Sequence, residues 1–370
     1  MDPHVDAMRT EGRTARFRLR GANVSLANAL RRVIIAEIPC VVLLAESAEP
    51  GDISISRNTS RLNNELIRQR LSCVPVHVRD TGFPVGDHEI ELDVENKGDS
   101  IIMATTGNFR VKNRVTDTYL TDSVVRAMFP PDPITGDYID LVRLRPVNAK
   151  GASEAIALRC RMGIGTGSQN AAYTVACTCA YAATPDVAAA AEAWRAREPT
   201  LKDKGEALAI AKKDWEILGA KRYTVPDSFD FVLESVGQFS NEELVVKAVD
   251  VLVGKLRRFQ SFEADRFSIQ EAEGTMANSY LVKMKGEGYT LGKLIEYALF
   301  KSHCEGQPGS DGSLLYCGFR KPHPHIDESV IKVAFREPSS ADHLAGLLSA
   351  SAALVIAAFE RIALSFSATS

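Results

Sequence analysis

A chain of 370 residues with 45% apolar and 25% charged side chains is built like an ordinary globular protein, with room for two or three domains. Its net charge of −3 excludes binding nucleic acid through bulk positive charge, though not association with a partner that binds it. Seven cysteines, an odd number without framework spacing, point to a reducing compartment.

Met1 to Arg13 is polar and lacks the apolar segment of a secretory signal. The triplets Asn23-Val24-Ser25 and Asn58-Thr59-Ser60 are therefore read as chance matches to a glycosylation signal. Ala15 to Arg20 alternates Phe17 and Leu19 with arginines, which predicts a half-buried strand. The stretch Ser25 to Pro39, SLANALRRVIIAEIP, follows. Leu26, Leu30, Val33, Ile34 and Ile38 recur on one helical face. Asn23 or Ser25 can accept a backbone N–H at its start, and Pro39 cannot continue it. Arg31, Arg32 and Glu37 fall off the apolar stripe. Val41 to Leu44 predicts a strand. Arg57 to Leu71 predicts a helix through Leu62, Leu66, Ile67 and Leu71, ended by Val74-Pro75-Val76.

From Glu89 to Cys179 the period shortens to two, notably over Glu89–Val94, Ile101–Val111, Ile156–Arg161 and Tyr173–Tyr181. Turn-rich pieces, Phe129–Pro133 and Gly163–Gly167, separate these strands. Thr184 to Ala220, Ala-rich and charged around Trp194 and Trp215, reads as a surface connector with some helix.

The helical register then returns. Phe229–Ser235 is a strand, and Ser240 with Glu243 forms a capping box. The helix after it runs for about twenty residues, or about 30 Å. Leu244, Val245, Ala248, Leu252, Leu256 and Phe259 share its inner side. Ser279–Lys285 is another strand, and Thr290 caps a helix carrying Leu291, Leu294, Ile295, Ala298 and Leu299. Leu314–Phe319 and Val330–Phe335 are strands joined through Lys321–His325. Ser339–Asp342 starts a last helix on which Leu344, Leu348, Ser351, Val355, Phe359, Ile362 and Phe366 align. Ser349, Ser351, Glu360 and Arg361 mark this apolar run as amphipathic and not a membrane span.

Strand, short helix, sheet and long helix thus occur twice. Each copy leaves an apolar face that needs covering, and packing the two copies on each other covers both. The predicted fold is α+β, an intrachain pseudo-dimer. One module takes residues 1–45 and 221–262, a β-rich insert with its connector takes 46–220, and the second module takes 263–370. The surface between modules is expected to use Leu26, Leu30, Val33, Ile34, Leu244, Ala248, Leu252, Leu256, Leu291, Leu294, Ile295, Leu299, Leu348, Val355 and Phe359.

Several of these segments resemble the alpha-like subunits of multisubunit RNA polymerases. Ala29–Pro39 resembles the first helix of the third-largest subunit of eukaryotic RNA polymerase II, of the archaeal D subunit and, more distantly, of bacterial alpha. Gly163-Ile164-Gly165, Thr174-Val175-Ala176 and Tyr181 resemble the D-type insert. Phe229–Gly237 with Glu243–Val246 looks like the strand and dimerisation helix of the same subunits. Gly288–Ile295 and Tyr316–Pro324 resemble the small L-type partner.

The resemblance implies alpha-like D and L dimerisation modules and a non-catalytic platform for the two largest subunits and small accessory subunits. It further implies no cofactor, no direct DNA or RNA contact and no membrane. Arg31, Arg32 and Glu37 then become the expected contact with the large subunits. In cellular enzymes the two modules are separate chains; their fusion resembles polymerases of large nucleocytoplasmic DNA viruses. That implies an intracellular site of action, in a virion or cytoplasmic viral factory, or in a host nucleus.

Other chemistry is weaker. Many D-type subunits carry a cysteine cluster, but here only Cys177 and Cys179 lie close in sequence and Cys160 stands apart, so no metal is expected. Gly163–Ser168 looks like a phosphate loop but lacks a following helix and a Lys-Ser/Thr pair, which favours a plain turn. Cys317, His323 and His325 support a rival reading as a small-molecule enzyme with its site between modules, although Pro322 and Pro324 favour a rigid connection.

Overall fold

The computed structural model describes residues 2–47, 49, 51–80, 82–147, 151–201, 205–274 and 276–367. Polar as it is, the N-terminal stretch forms a strand, β1 (His4–Glu11), paired antiparallel with β2 (Thr14–Arg20). Gly12 at φ +59° makes the tight turn between them. In β2, Ala15, Phe17 and Leu19 are buried, and the alternating arginines take the other face. Helix α1 (Val24–Ala36) starts where Asn23 Oδ1 accepts the Ser25 N–H at 2.9 Å, and it ends before Pro39.

Strands β3 (Cys40–Leu43) and β4 (Ile53–Asn58) come next. The helix expected over Arg57–Leu71 is shorter, α2 (Asn64–Ser72). Asn58 explains this. Its Oδ1 accepts the Ser60 N–H at 3.0 Å and its Nδ2 donates to the Leu62 carbonyl at 2.8 Å, folding a turn where helix was expected. Asn63 Oδ1 then caps α2 on the Leu66 N–H.

The β-rich part continues through β5 (His88–Glu95), β6 (Ile102–Thr105), β7 (Arg110–Asn113) and β8 (Thr118–Tyr119). It closes with the short α3 (Asp122–Met128), β9 (Asp140–Leu144) and β10 (Ala155–Gly165). Strand β10 is the spine of a sheet ordered β3-β10-β5-β7-β8, with β4 also paired to β10, while β6 and β9 make a separate ribbon. Ile90, Leu92, Ile156 and Leu158 of the sheet pack with Ile67 and Leu71 of α2 in one core. Gly163 and Gly165 end β10, so the turn begins later, at Thr166. There Ser168 N–H donates to the Ala36 carbonyl at 2.7 Å. A Cβ on Gly167 would sit 2.7 Å from the Ile35 carbonyl oxygen, and this close approach is why glycine stands there.

After β11 (Ala176–Pro185), the connector folds as two helices, α4 (Val187–Arg197) and α5 (Glu206–Asp214), before β12 (Thr224–Ser235). Trp215 ties the connector together, with its ring 6.0 Å from Trp194 and 5.8 Å from Tyr223. The first sheet runs β1-β2-β12-β11. Then come α6 (Asn241–Gln260), β13 (Phe267–Glu271), β14 (Ser279–Lys285), α7 (Tyr289–His303), β15 (Leu314–Arg320), β16 (Glu328–Phe335) and α8 (Ala341–Ser367). The strands among them form a second four-stranded sheet, β13-β14-β16-β15.

Two expected caps fall elsewhere. The residue before α7 is Gly288, and Thr290 lies inside the first turn. Ser340, not Ser339, accepts the His343 N–H at the start of α8.

Helix α8 is long and apolar enough to cross a bilayer, yet its Leu344, Leu348, Val355, Phe359 and Ile362 are fully buried against protein. The chain forms two compact units. One holds the residues up to Ile34, Thr178–Glu234 and those from Asn241 onward; the other holds Ile35–Cys177 and Ser235–Ser240.

Candidate assembly site

All fifteen apolar residues expected between the modules are buried, each at most 1% exposed. They lie on α1 (Leu26, Leu30, Val33, Ile34), α6 (Leu244, Ala248, Leu252, Leu256), α7 (Leu291, Leu294, Ile295, Leu299) and α8 (Leu348, Val355, Phe359). Helix α8 packs against α6 and α7. Along the α6–α8 seam, Gln260 Nε2 donates to the Ser349 carbonyl at 3.2 Å and Arg257 pairs with Glu360 at 3.4 Å.

The long helices also cross between sheets. Phe366 near the end of α8 sets its ring edge-on to Phe17 of β2, 5.1 Å away. Phe259 near the end of α6 does the same to Phe267 of β13, also at 5.1 Å. These two ring contacts tie α8 to the first four-stranded sheet and α6 to the second. A second ion pair joins Arg257–Glu360 in this arrangement: Lys255 Nζ on α6 lies 3.0 Å from the carboxylate of buried Glu287, just before α7.

Arg31 and Arg32 leave the stripe as the sequence required, but each finds a neutral partner. Arg31 is half-buried and donates twice to Asn28 Oδ1, at 3.2 and 3.1 Å. Arg32 is exposed, and its Nε donates to Thr290 Oγ1 at 3.0 Å. The hydroxyl expected to cap α7 therefore orients an arginine from α1. Arg32, Gly288, Tyr289, Lys321 and Pro324 line an open cleft of about 310 Å³. Glu37 is half-buried, just past the end of α1.

Sequence reading missed Lys321 at this cleft and the Lys255–Glu287 pair, because both depend on contacts between segments distant along the chain. The one sequence trace was Lys321 beginning the connection Lys-Pro-His-Pro-His.

The rival catalytic cluster has little chemistry in it. His323 and His325 are 5.1 Å apart by ring centroid, and the His325 N–H donates to His323 Nδ1 at 3.1 Å. The Cys317 thiol is directed to the Glu296 carbonyl at 3.8 Å, and burial pushes its pKa up. A thiol held protonated in this way is a poor nucleophile. Burial also pushes the Cys160 and Cys179 thiols up to about 12, while Cys177 is exposed. Among the described residues, no three His, Cys, Asp or Glu side chains converge to hold a metal ion.

Comparison with known proteins fits a surface built for pairing. Residues 16–256 match the family model of the RNA polymerase Rpb3/Rpb11 dimerisation domain. The chain is 27% identical over 291 residues to DNA-directed RNA polymerases IV and V subunit 3B of Arabidopsis thaliana, covering 65% of this chain and 85% of that protein. It is 24% identical over 299 residues to human DNA-directed RNA polymerases I and III subunit RPAC1, covering 69% and 83%. To DNA-directed RNA polymerase subunit Rpo3 of Pyrococcus horikoshii it is 26% identical over 266 residues, covering 66% and 91%. With the family model matched over more than half its length, the chain belongs to the RNA polymerase Rpb3/Rpb11 dimerisation-domain family.

Proposed function

We propose that this chain is a non-catalytic subunit of a DNA-directed RNA polymerase, an assembly platform for the two largest subunits and small accessory subunits. Catalysis belongs to other chains of that complex. The observation that carries the reading is the crossed packing, in which Phe366 of α8 meets the first sheet and Phe259 of α6 meets the second. This is how two alpha-like subunits would hold each other if they were joined.

In this reading residues 1–45 and 221–262 are the D-like module, 46–220 are its β-rich insertion with connector, and 263–370 are the L-like module. The L-like assignment rests on the repeated element order and on Gly288–Ile295 and Tyr316–Pro324, since the family match ends at residue 256. The fusion resembles that in polymerases of large nucleocytoplasmic DNA viruses. It would place the chain in a virion or viral factory, with a host nucleus as the other site. Joining the halves fixes one-to-one stoichiometry and raises their effective concentration to about the millimolar range.

Arg31, Arg32 and Glu37 form the face toward the large subunits. A guanidinium held by a neutral acceptor keeps its charge available to a carboxylate on a second chain. The test is co-expression of the tagged chain with the two largest subunits of its polymerase. Co-purification in fixed stoichiometry supports the reading, and Arg31→Ala with Arg32→Ala is expected to weaken it while the chain stays folded. A monomer or homo-oligomer that takes up neither large subunit would overturn it.

A further inference from the structure

We infer that the ion pair between Lys255 and Glu287 decides which modules join. It makes the two modules of one chain pair with each other, and not like-with-like with those of a second copy. This rests on the two-module reading above and deepens it by assigning partner choice to named residues.

The two modules correspond position by position. β2 (Thr14–Arg20) and β14 (Ser279–Lys285) are each followed by a glycine at positive φ, Gly21 at +67° and Gly286 at +73°. Helices α1 and α7 then begin at the same distance beyond it, at Val24 and Tyr289. The sheets agree as well, since β1-β2-β12-β11 and β13-β14-β16-β15 follow one order. Glu287 therefore corresponds to Ala22, and both are buried. On the long helices, Lys255 corresponds to Val355 when α6 and α8 are counted from their first residues, and to Ala358 when their buried stripes are aligned. Either counterpart is buried and apolar. A charge pair thus occupies one of two equivalent places, and apolar side chains occupy the other.

The pair is enclosed and held. The side chains of Lys255 and Glu287 are 16% and 4% exposed. Ser329 Oγ donates to the Glu287 carbonyl at 2.9 Å, which fixes the backbone that presents the carboxylate. Arg257 and Glu360, on the α6–α8 seam, are 65% and 51% exposed, so water screens them and they discriminate little. A buried pair adds little net stability over apolar packing, but separating its members strands a charge away from water. Its main effect is therefore on the choice of partner.

Like-with-like pairing between the first modules of two copies would set each Lys255 against Ala22. Between the second modules it would set each Glu287 against Val355 or Ala358. Both arrangements bury a charge without its counter-charge. Only unlike modules satisfy the two places together.

The experiment uses the full chain and moves the acid. With Ala22→Glu and Glu287→Ala combined, Lys255 meets its carboxylate in the first module of a second copy and not in its own second module. Light scattering is expected to show the wild type as a monomer and this variant as a dimer or larger species. Glu287→Ala alone should lower the melting temperature and give no defined dimer. Charge reversal keeps the test decisive should the moved acid prevent folding. Lys255→Glu and Glu287→Lys, each alone, are expected to yield at least about tenfold less monomer on refolding, and the two combined in one chain to regain it. The two single variants refolded together should form a one-to-one dimer, because each finds opposite charges only in the other. A moved-acid variant that folds as a wild-type monomer would overturn the inference. So would single reversals that behave as wild type, a combined reversal that does not recover, or a mixture that yields no dimer. Large-subunit recruitment is read separately in the same preparations; its failure in the wild type would overturn the assembly role and leave the pairing result standing.

Discussion

Leu30 is completely buried in the middle of the α1 stripe, so removing its side chain beyond Cβ leaves a cavity that a helix packed on its neighbours fills only in part. Leu30→Ala is expected to cost about 2–5 kcal/mol, read as a lower midpoint of denaturant unfolding with unchanged slope. Ser351 presents the opposite case. It is fully buried on the inner face of α8, and its hydroxyl has no hydrogen-bond partner among the described residues. An unsatisfied buried hydroxyl costs about 1–3 kcal/mol, so Ser351→Ala should leave stability unchanged or raise it. A clear fall in melting temperature for that variant would mean that the hydroxyl is satisfied in solution.

Glu154 gives a pH dependence. Burial opposes its ionisation, but the backbone N–H and guanidinium of Arg145 outweigh burial and hold its carboxyl below the usual range. A depressed folded pKa means stability that is present above the unfolded carboxylate pKa and lost as pH falls through the folded one. Wild type should therefore exceed Glu154→Gln in stability at pH 7, with the gap closing in acid. A gap that stays constant down to pH 3 would show that the ion pair contributes nothing to acid sensitivity.

At the scale of elements, what the sequence revealed was what burial writes into it. Helices α1, α6, α7 and α8 each bury one stripe, so their apolar residues recur at helical spacing and could be read directly. β1 could not be read, because it is an edge strand whose side chains are exposed or half-buried on both faces, so no alternation is required of it. The start of α2 was hidden because the Asn58 amide diverts the chain locally, and propensity over a window does not register one side chain's hydrogen bonds. Thr290 shows the same limit at the site. Threonine at a helix start reads as a cap, and only the fold reveals that its hydroxyl serves Arg32. Arg31 and Arg32 were visible because charges cannot join an apolar stripe, whereas Lys321 joins them only through tertiary structure.

At the scale of the whole molecule, the crossed packing has a consequence for how the chain holds together. Helices α6 and α8 lie against each other, and each sets a ring near its end against a different sheet, Phe366 on β2 and Phe259 on β13. Lys255 on α6 and Glu287, just before α7, add a charge pair; losing one member of a buried pair typically costs about 3–5 kcal/mol. Cutting the chain between Phe262 and Glu263, after α6 and before β13, breaks no element. The two fragments, co-expressed, are expected to recover one another as a one-to-one complex with the helix content of the intact chain. Expressed singly, each should expose its stripe and aggregate or lose the cooperative melting of its helical part, while the Ile35–Cys177 unit of the N-terminal fragment keeps a transition from its own core. The complex should also melt at a temperature that rises with concentration, because the cut turns an intramolecular pairing into a bimolecular one. Two fragments that each fold alone as monomers, with sharp melts independent of one another, would show that the halves are self-sufficient domains and that their pairing is incidental.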